Sequence, residues 1–122
     1  MSKSWTGKFV SSTCGPLVKG QFLVTLDEDK TEYEAPFKCE YTGPFRHGIT
    51  IDGNLTVSEN TMSTTFGDSQ KLSFTMKEKT SKRITGTYCS MNPSDIGTFT
   101  MEPGNQMYDW EFADDGTFCN LL

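Results

Sequence analysis

Apolar and polar residues alternate with a period of two along most of this chain. The clearest stretch has one face made of Tyr33, Ala35, Phe37, Cys39 and Tyr41, and an opposite face made of Glu34, Pro36, Lys38 and Glu40. Successive side chains of a β-strand point to opposite faces, so this pattern predicts a strand with one buried and one solvent-exposed face. The alternation recurs from Trp5 to Phe112 without helical periodicity, and predicts about nine or ten short strands.

Turn-forming residues separate the alternating stretches. Asp52-Gly53 lies between two apolar runs and predicts a two-residue hairpin at that point. The pattern breaks again at Ser58-Glu59-Asn60. The basic cluster Lys77–Arg83 is typical of a solvated hairpin tip. Pro36 has no backbone donor, so we expect it at an edge or a bulge of its sheet.

Six of the eleven glycines precede an aromatic residue by two positions. The pairs are Gly7/Phe9, Gly20/Phe22, Gly43/Phe45, Gly86/Tyr88, Gly97/Phe99 and Gly116/Phe118. Each pair places a missing side chain beside a large one on one face of a strand. Glycine weakens a strand unless the strand bends or another group approaches closely. The repetition therefore predicts a strongly curved sheet whose aromatic rings cover the glycine gaps.

Composition agrees with one all-β domain over residues 1–122. The chain has 122 residues and 12% aromatic content. A chain of this length can form a single hydrophobic core without disulfide bonds or structural metal ions. We predict an antiparallel up-and-down β-barrel of about eight to ten strands, with a β-sandwich as the alternative. An internal sequence similarity, an internal echo, relates Gly7–Ser11 and Gly20–Phe22 to Gly86–Ser90 and Gly97–Phe99. We interpret it as the same local structure formed twice.

Charge and cysteine content restrict the partners and the compartment. The net charge of −5 argues against binding nucleic acid or an anionic membrane surface. The N-terminal residues lack the apolar run of a signal peptide, so a cytoplasmic location is expected. The four cysteines form no C-x-x-C pair and are expected to be free thiols. Cys39 is predicted in the core and Cys14 in an exposed loop.

Catalytic and metal-binding patterns are weak in this sequence. The chain has one histidine, His47, which cannot supply a zinc site alone. The acidic residues lie mainly in turns, where Asp is favoured for local hydrogen bonding. We therefore expect no metal and no cofactor. An enzyme using Cys14 or acidic residues is the least favoured of three functional hypotheses.

Two short segments resemble the calycin barrels, the avidin and lipocalin-like group. They are Trp5-Thr6-Gly7 at the start and Ile84-Thr85-Gly86-Thr87-Tyr88 in a later strand. The resemblance implies a calycin-like antiparallel barrel. It carries over no set of ligand-contacting residues, and a shared fold does not assign a function.

The aromatic content suggests a function as well as a core. Barrels of about eight strands either fill their interior or hold one small ligand. Our first hypothesis is a non-enzymatic protein that binds a small apolar or aromatic ligand, with pocket residues Trp5, Tyr88, Tyr108 and Trp110. The alternative is a protein-interaction or assembly module that uses exposed aromatics or edge strands, with or without homo-oligomerisation. Its edge candidates are the Pro36 strand and the strand Met62–Phe66.

Overall fold

The computed structural model describes residues 1–13, 15–43, 46–66, 70–91 and 94–107. These residues form eight strands, with no helix among them. The strands are β1 (Ser2–Ser11), β2 (Gly15–Asp27), β3 (Glu32–Gly43), β4 (Arg46–Ser58), β5 (Thr61–Phe66), β6 (Gln70–Lys79), β7 (Ile84–Met91) and β8 (Asp95–Pro103). No stretch of the described chain forms a helix long and apolar enough to cross a membrane.

The eight strands form a closed antiparallel barrel. Each strand pairs with the next along the chain, and β8 returns to pair with β1 from Trp5–Pro103 to Ser11–Gly97. This confirms the predicted all-β up-and-down barrel and excludes the sandwich alternative. A calycin-like description is compatible with it. Residues 108–112, the last part of the predicted alternation, lie outside the described residues.

The hairpin predicted at Asp52-Gly53 is wrong. Strand β4 runs straight through both residues, because Asp52 pairs with Lys38 and Gly53 pairs with Phe37 on the long neighbouring strand. The period of two also continues across the pair, so a reversal there is not needed to keep apolar residues inside. The chain reverses instead at Glu59 and Asn60, where Glu59 has a φ of 53°.

The glycine gaps are covered by rings from the neighbouring strand. In the hairpin of β1 and β2, Gly7 pairs with Phe22 and Phe9 pairs with Gly20. A Cβ added to Gly7 would lie 2.2 Å from Phe22 Cζ, and one added to Gly20 would lie 2.1 Å from Phe9 Cζ. The two glycine–aromatic pairs are therefore reciprocal, since each strand supplies the gap for the other's ring.

A second hairpin repeats this arrangement on β7 and β8. Gly86 pairs with Phe99 and Tyr88 pairs with Gly97, which explains the internal echo in the sequence. The two hairpins meet where β1 pairs with β8, at the pair Phe9–Phe99. The remaining pairs, Gly43/Phe45 and Gly116/Phe118, lie partly or wholly outside the described residues.

Aromatic rings pack together inside the barrel. The cluster consists of Phe9, Phe22, Phe37, Phe74, Tyr88 and Phe99. Phe74 is central, with its ring centroid 4.9 Å from that of Phe22 and 5.3 Å from that of Phe99. Offset and edge-to-face contacts at these separations stabilise a core beyond the burial of area alone. This buried aromatic cluster forms the central part of the barrel interior.

Candidate binding site at the Trp5 end of the barrel

One end of the barrel carries a cavity of about 380 Å³. In an up-and-down barrel, alternate turns lie at the same end, so the turns at residues 28–31, 59–60 and 80–83 meet here beside the N-terminus. We call this cavity the mouth. Apolar side chains form its floor, namely Trp5, Leu26, Val57, Met76 and Ile84. Its volume falls within the range of small-molecule sites.

Trp5 is buried in the floor of the mouth and is fixed from several sides. Only 2% of its surface is exposed, and it lies in β1 between Val24 and Pro103. Lys3 Nζ lies 4.8 Å from the ring centroid of Trp5, a cation–π distance. The same Nζ donates a hydrogen bond of 2.8 Å to the carbonyl of Ser81. The turn between β6 and β7 is thereby joined to β1 next to Trp5.

Tyr33 places a polar group on the wall of the mouth. Its hydroxyl accepts a hydrogen bond of 2.8 Å from the backbone N–H of Asp27. Burial raises the pKa of Tyr33 above its ordinary value; the Asp27 N–H lowers it in part, and the negative charge of Asp27 raises it further. The phenol is therefore neutral at physiological pH.

The rim of the mouth carries charges of both signs. On the β2–β3 side lie Asp27 and Glu28, where Asp27 contacts the N-terminal ammonium at 3.1 Å and Lys30 Nζ at 3.9 Å. On the β6–β7 side lies Lys79, next to the turn with Lys82 and Arg83. These two turns are four strands apart in a ring of eight, so they face each other across the opening.

The structure separates the two described members of the predicted pocket. Trp5 lines the mouth, whereas Tyr88 lies in the aromatic cluster with its ring 4.9 Å from that of Phe9. The Tyr88 hydroxyl donates a hydrogen bond of 2.8 Å to Asp95. Tyr108 and Trp110 lie outside the described residues. Ligand binding by these four residues stays a prediction.

Sequence reasoning missed that Tyr33, Met76 and Lys79 belong to the mouth. Alternation correctly predicts that the side chains of Tyr33 and Met76 point inward, but it does not predict at which end of the barrel they lie. The usable signal is topological: in an up-and-down barrel, the ends of even strands and the starts of odd strands lie together. Applied to β2, β3, β6 and β7, that rule would have grouped these residues.

The two described cysteines lie away from the mouth. Cys39 is fully buried, and this burial raises the pKa of its thiol, so it is a poor nucleophile. Cys89 is exposed on the outer face. The described residues that line the mouth include no histidine or cysteine, and the described chain contains no group of three His, Cys, Asp or Glu side chains that could hold a metal. Cys14 and the side chain of His47 lie outside the described residues.

No protein-family model matches the chain, and no curated protein matches it in sequence. The function is therefore inferred from the geometry of the mouth. That geometry combines an apolar floor, one neutral phenol and a rim of two charge signs. Such a site can hold a molecule with an apolar body and orient a polar group at the surface.

Proposed function

We propose that this protein is a non-enzymatic binding protein that takes a small, partly apolar molecule into the mouth. The observation that carries the proposal is the cavity of about 380 Å³ at the Trp5 end. It lies above a barrel interior occupied by the aromatic cluster, so a ligand would rest on the core rather than pass through it.

The lining supports a ligand of mixed character. Removing an apolar body from water onto Trp5, Val57 and Met76 supplies a non-directional driving force. The charged rim then favours a ligand whose polar group remains at the opening, where it contacts water or Lys79. Because strands and short turns hold the lining, little ordering is required on binding, which favours affinity.

We also propose a cytoplasmic location. Cys39 and Cys89 are free thiols in the described chain, and free thiols are typical of a reducing compartment. The net charge of −5 supports a small-molecule or protein partner rather than a nucleic acid.

Fluorescence titration tests the proposal. The variant Trp110→Phe leaves Trp5 as the single tryptophan of a chain that has two. The probe is 8-anilinonaphthalene-1-sulfonate, which has an apolar body and one anionic group. We expect saturable binding accompanied by quenching of Trp5 emission, because the probe would lie against its ring.

Two matched substitutions locate the probe. Val57→Phe adds volume in the floor, whereas Val10→Phe makes the same change on the exposed outer face of β1. We expect Val57→Phe to weaken binding about tenfold, or about 1.4 kcal/mol, and Val10→Phe to leave it unchanged. Circular dichroism checks that both variants are folded. Equal affinity in the two folded variants would contradict a site at the mouth.

A further inference from the structure

Of the pairings in the described part of the closed barrel, the one between β4 and β5 is the shortest. These strands pair only next to their turn, at Ser58–Thr61, Val57–Met62 and Thr56–Ser63. Beyond Thr56, the described part of β4 pairs with β3 alone, and residues 64–66 of β5 pair with β6 alone. We call this opening, between residues 51–55 and 64–66, the seam.

Gly53 shows that the seam is open on its inner side. It pairs with Phe37 and so faces the barrel interior, yet it is exposed. A Cβ added to Gly53 would meet no atom within 4 Å, whereas those added to Gly7 or Gly20 would meet a ring at little more than 2 Å. The space beside Gly53 can therefore accept a side chain that the described chain does not supply.

Both margins of the seam present backbone groups without a partner strand among the described residues. The backbone N–H and C=O groups of a strand point alternately to its two neighbouring strands. Strand β3 bonds the groups on one side of β4, and β6 bonds the groups on one side of β5. The other side of residues 51–55 and of residues 64–66 has no strand among the described residues. Unpaired strand edges are templates for the addition of another strand.

We propose that the seam binds an extended peptide segment of a partner protein as an added strand. The two edges face each other across one opening, so the matching guest is a strand with both of its own edges free. A strand of a second copy does not fit this description, since the described barrel strands already pair with neighbours.

The surroundings define the chemistry of this guest. Its inward side chain opposite Gly53 would be large and apolar, since it would lie beside the buried Phe37. Its outward side chains would lie near Asp52 and Asn54, both exposed. Lys38 pairs with Asp52 and Lys71 pairs with Thr65, and both lysines are exposed beside the seam, so the outward positions favour polar residues of either charge. The recognised class is an extended segment that alternates apolar and polar residues.

Peptide binding measured by fluorescence anisotropy tests this proposal. The probe is fluorescein-labelled Thr-Lys-Phe-Lys-Val-Lys-Thr, and its control is the same peptide N-methylated at alternate residues, which removes backbone donors. We expect saturable binding of the first peptide and a loss of at least about tenfold for the second. Absence of saturable binding, or equal binding of both peptides, would overturn the proposal.

Two variants of β4 locate the peptide. Gly53→Trp adds a large side chain at the opening, where a Cβ meets no atom within 4 Å, and Thr50→Trp places the same side chain on the exposed outer face. We expect Gly53→Trp to weaken binding about tenfold or more and Thr50→Trp to preserve it. Neither residue lines the mouth, so this test and the titration at the mouth can fail separately. Unchanged binding in a folded Gly53→Trp variant would overturn the proposal.

Amide hydrogen exchange gives an independent readout. In the free protein, we expect amides of residues 51–55 that point away from β3 to exchange faster than those that point towards it, since only the latter have a partner strand. Addition of the peptide is expected to slow the fast set about tenfold or more. Uniformly slow exchange across residues 51–55 in the free protein would show a closed seam and overturn the proposal.

Discussion

Adding one methyl group to Gly20 or to Gly53 is expected to have opposite effects on stability. Both glycines lie inside strands, and both face the barrel interior. The Cβ of alanine at position 20 would lie 2.1 Å from Phe9 Cζ and 2.9 Å from Tyr41 Cβ, whereas at position 53 it would meet no atom within 4 Å. The pair therefore isolates the packing cost from the general effect of replacing glycine in a strand.

The magnitude depends on whether the ring of Phe9 can move away. Its centroid lies 4.9 Å from that of Tyr88, 6.2 Å from that of Phe74 and 6.5 Å from that of Phe22, so it is enclosed. Overpacking of this kind costs about 1–3 kcal/mol. Loss of glycine flexibility in the unfolded chain offsets about 0.5–1 kcal/mol of this cost. We expect Gly20→Ala to lower the free energy of unfolding by about 1 kcal/mol and Gly53→Ala to raise it by about 0.5–1 kcal/mol.

Urea unfolding followed by circular dichroism measures both changes. With an m-value of about 2 kcal/mol/M, the midpoint should fall by about 0.5 M for Gly20→Ala and rise by about 0.3–0.5 M for Gly53→Ala. Phe9→Leu should reduce the cost of Gly20→Ala, because the two sites are in contact. Equal shifts in the two glycine variants, or no coupling with Phe9→Leu, would refute the reciprocal packing of glycines and rings.

Three further predictions concern single residues. In the native protein, iodoacetamide should label Cys89 quickly and Cys39 only after unfolding, because burial removes Cys39 from solvent and raises its pKa; mass spectrometry of native and unfolded samples checks this. Tyr88→Phe removes a hydrogen bond to the Asp95 carboxylate and should lower the free energy of unfolding by about 1.5–3 kcal/mol, measured by urea denaturation; an unchanged midpoint would contradict this contact. Glu59→Gly should raise the stability by about 0.4–1 kcal/mol in the same assay, because Glu59 has a positive φ; a loss of stability would show that the turn does not need that conformation.

The fold could be predicted from the sequence because its signals are local and repeated. The alternation from Tyr33 to Tyr41 defined β3 and its buried face, and the glycine–aromatic pairs indicated a curved, closed sheet. The failure at Asp52-Gly53 has a physical cause: turn propensity is a local preference of a few residues, whereas pairing along the whole length of β3 keeps these residues extended.

The site was less predictable because it depends on which strand ends converge. Trp5 was identified by residue type alone, and the structure places it in the mouth. Tyr88 has the same chemical character, but its strand register directs it into the aromatic cluster and towards Asp95. One margin of the seam was expected, because the strand Met62–Phe66 was an edge candidate. The other margin, residues 51–55, was not, since alternation reports the two faces of a strand and not whether its edges are paired.

Chemical-shift mapping by NMR tests the account most directly. The isotopically labelled protein would be titrated with 8-anilinonaphthalene-1-sulfonate while the amide and methyl resonances are followed. The account predicts saturable shifts concentrated at Trp5, Tyr33, Val57, Met76 and Ile84, the residues that line the mouth. Shifts that do not saturate, or that concentrate on the outer face around Val10 and Ile96, would contradict a binding site at this end of the barrel.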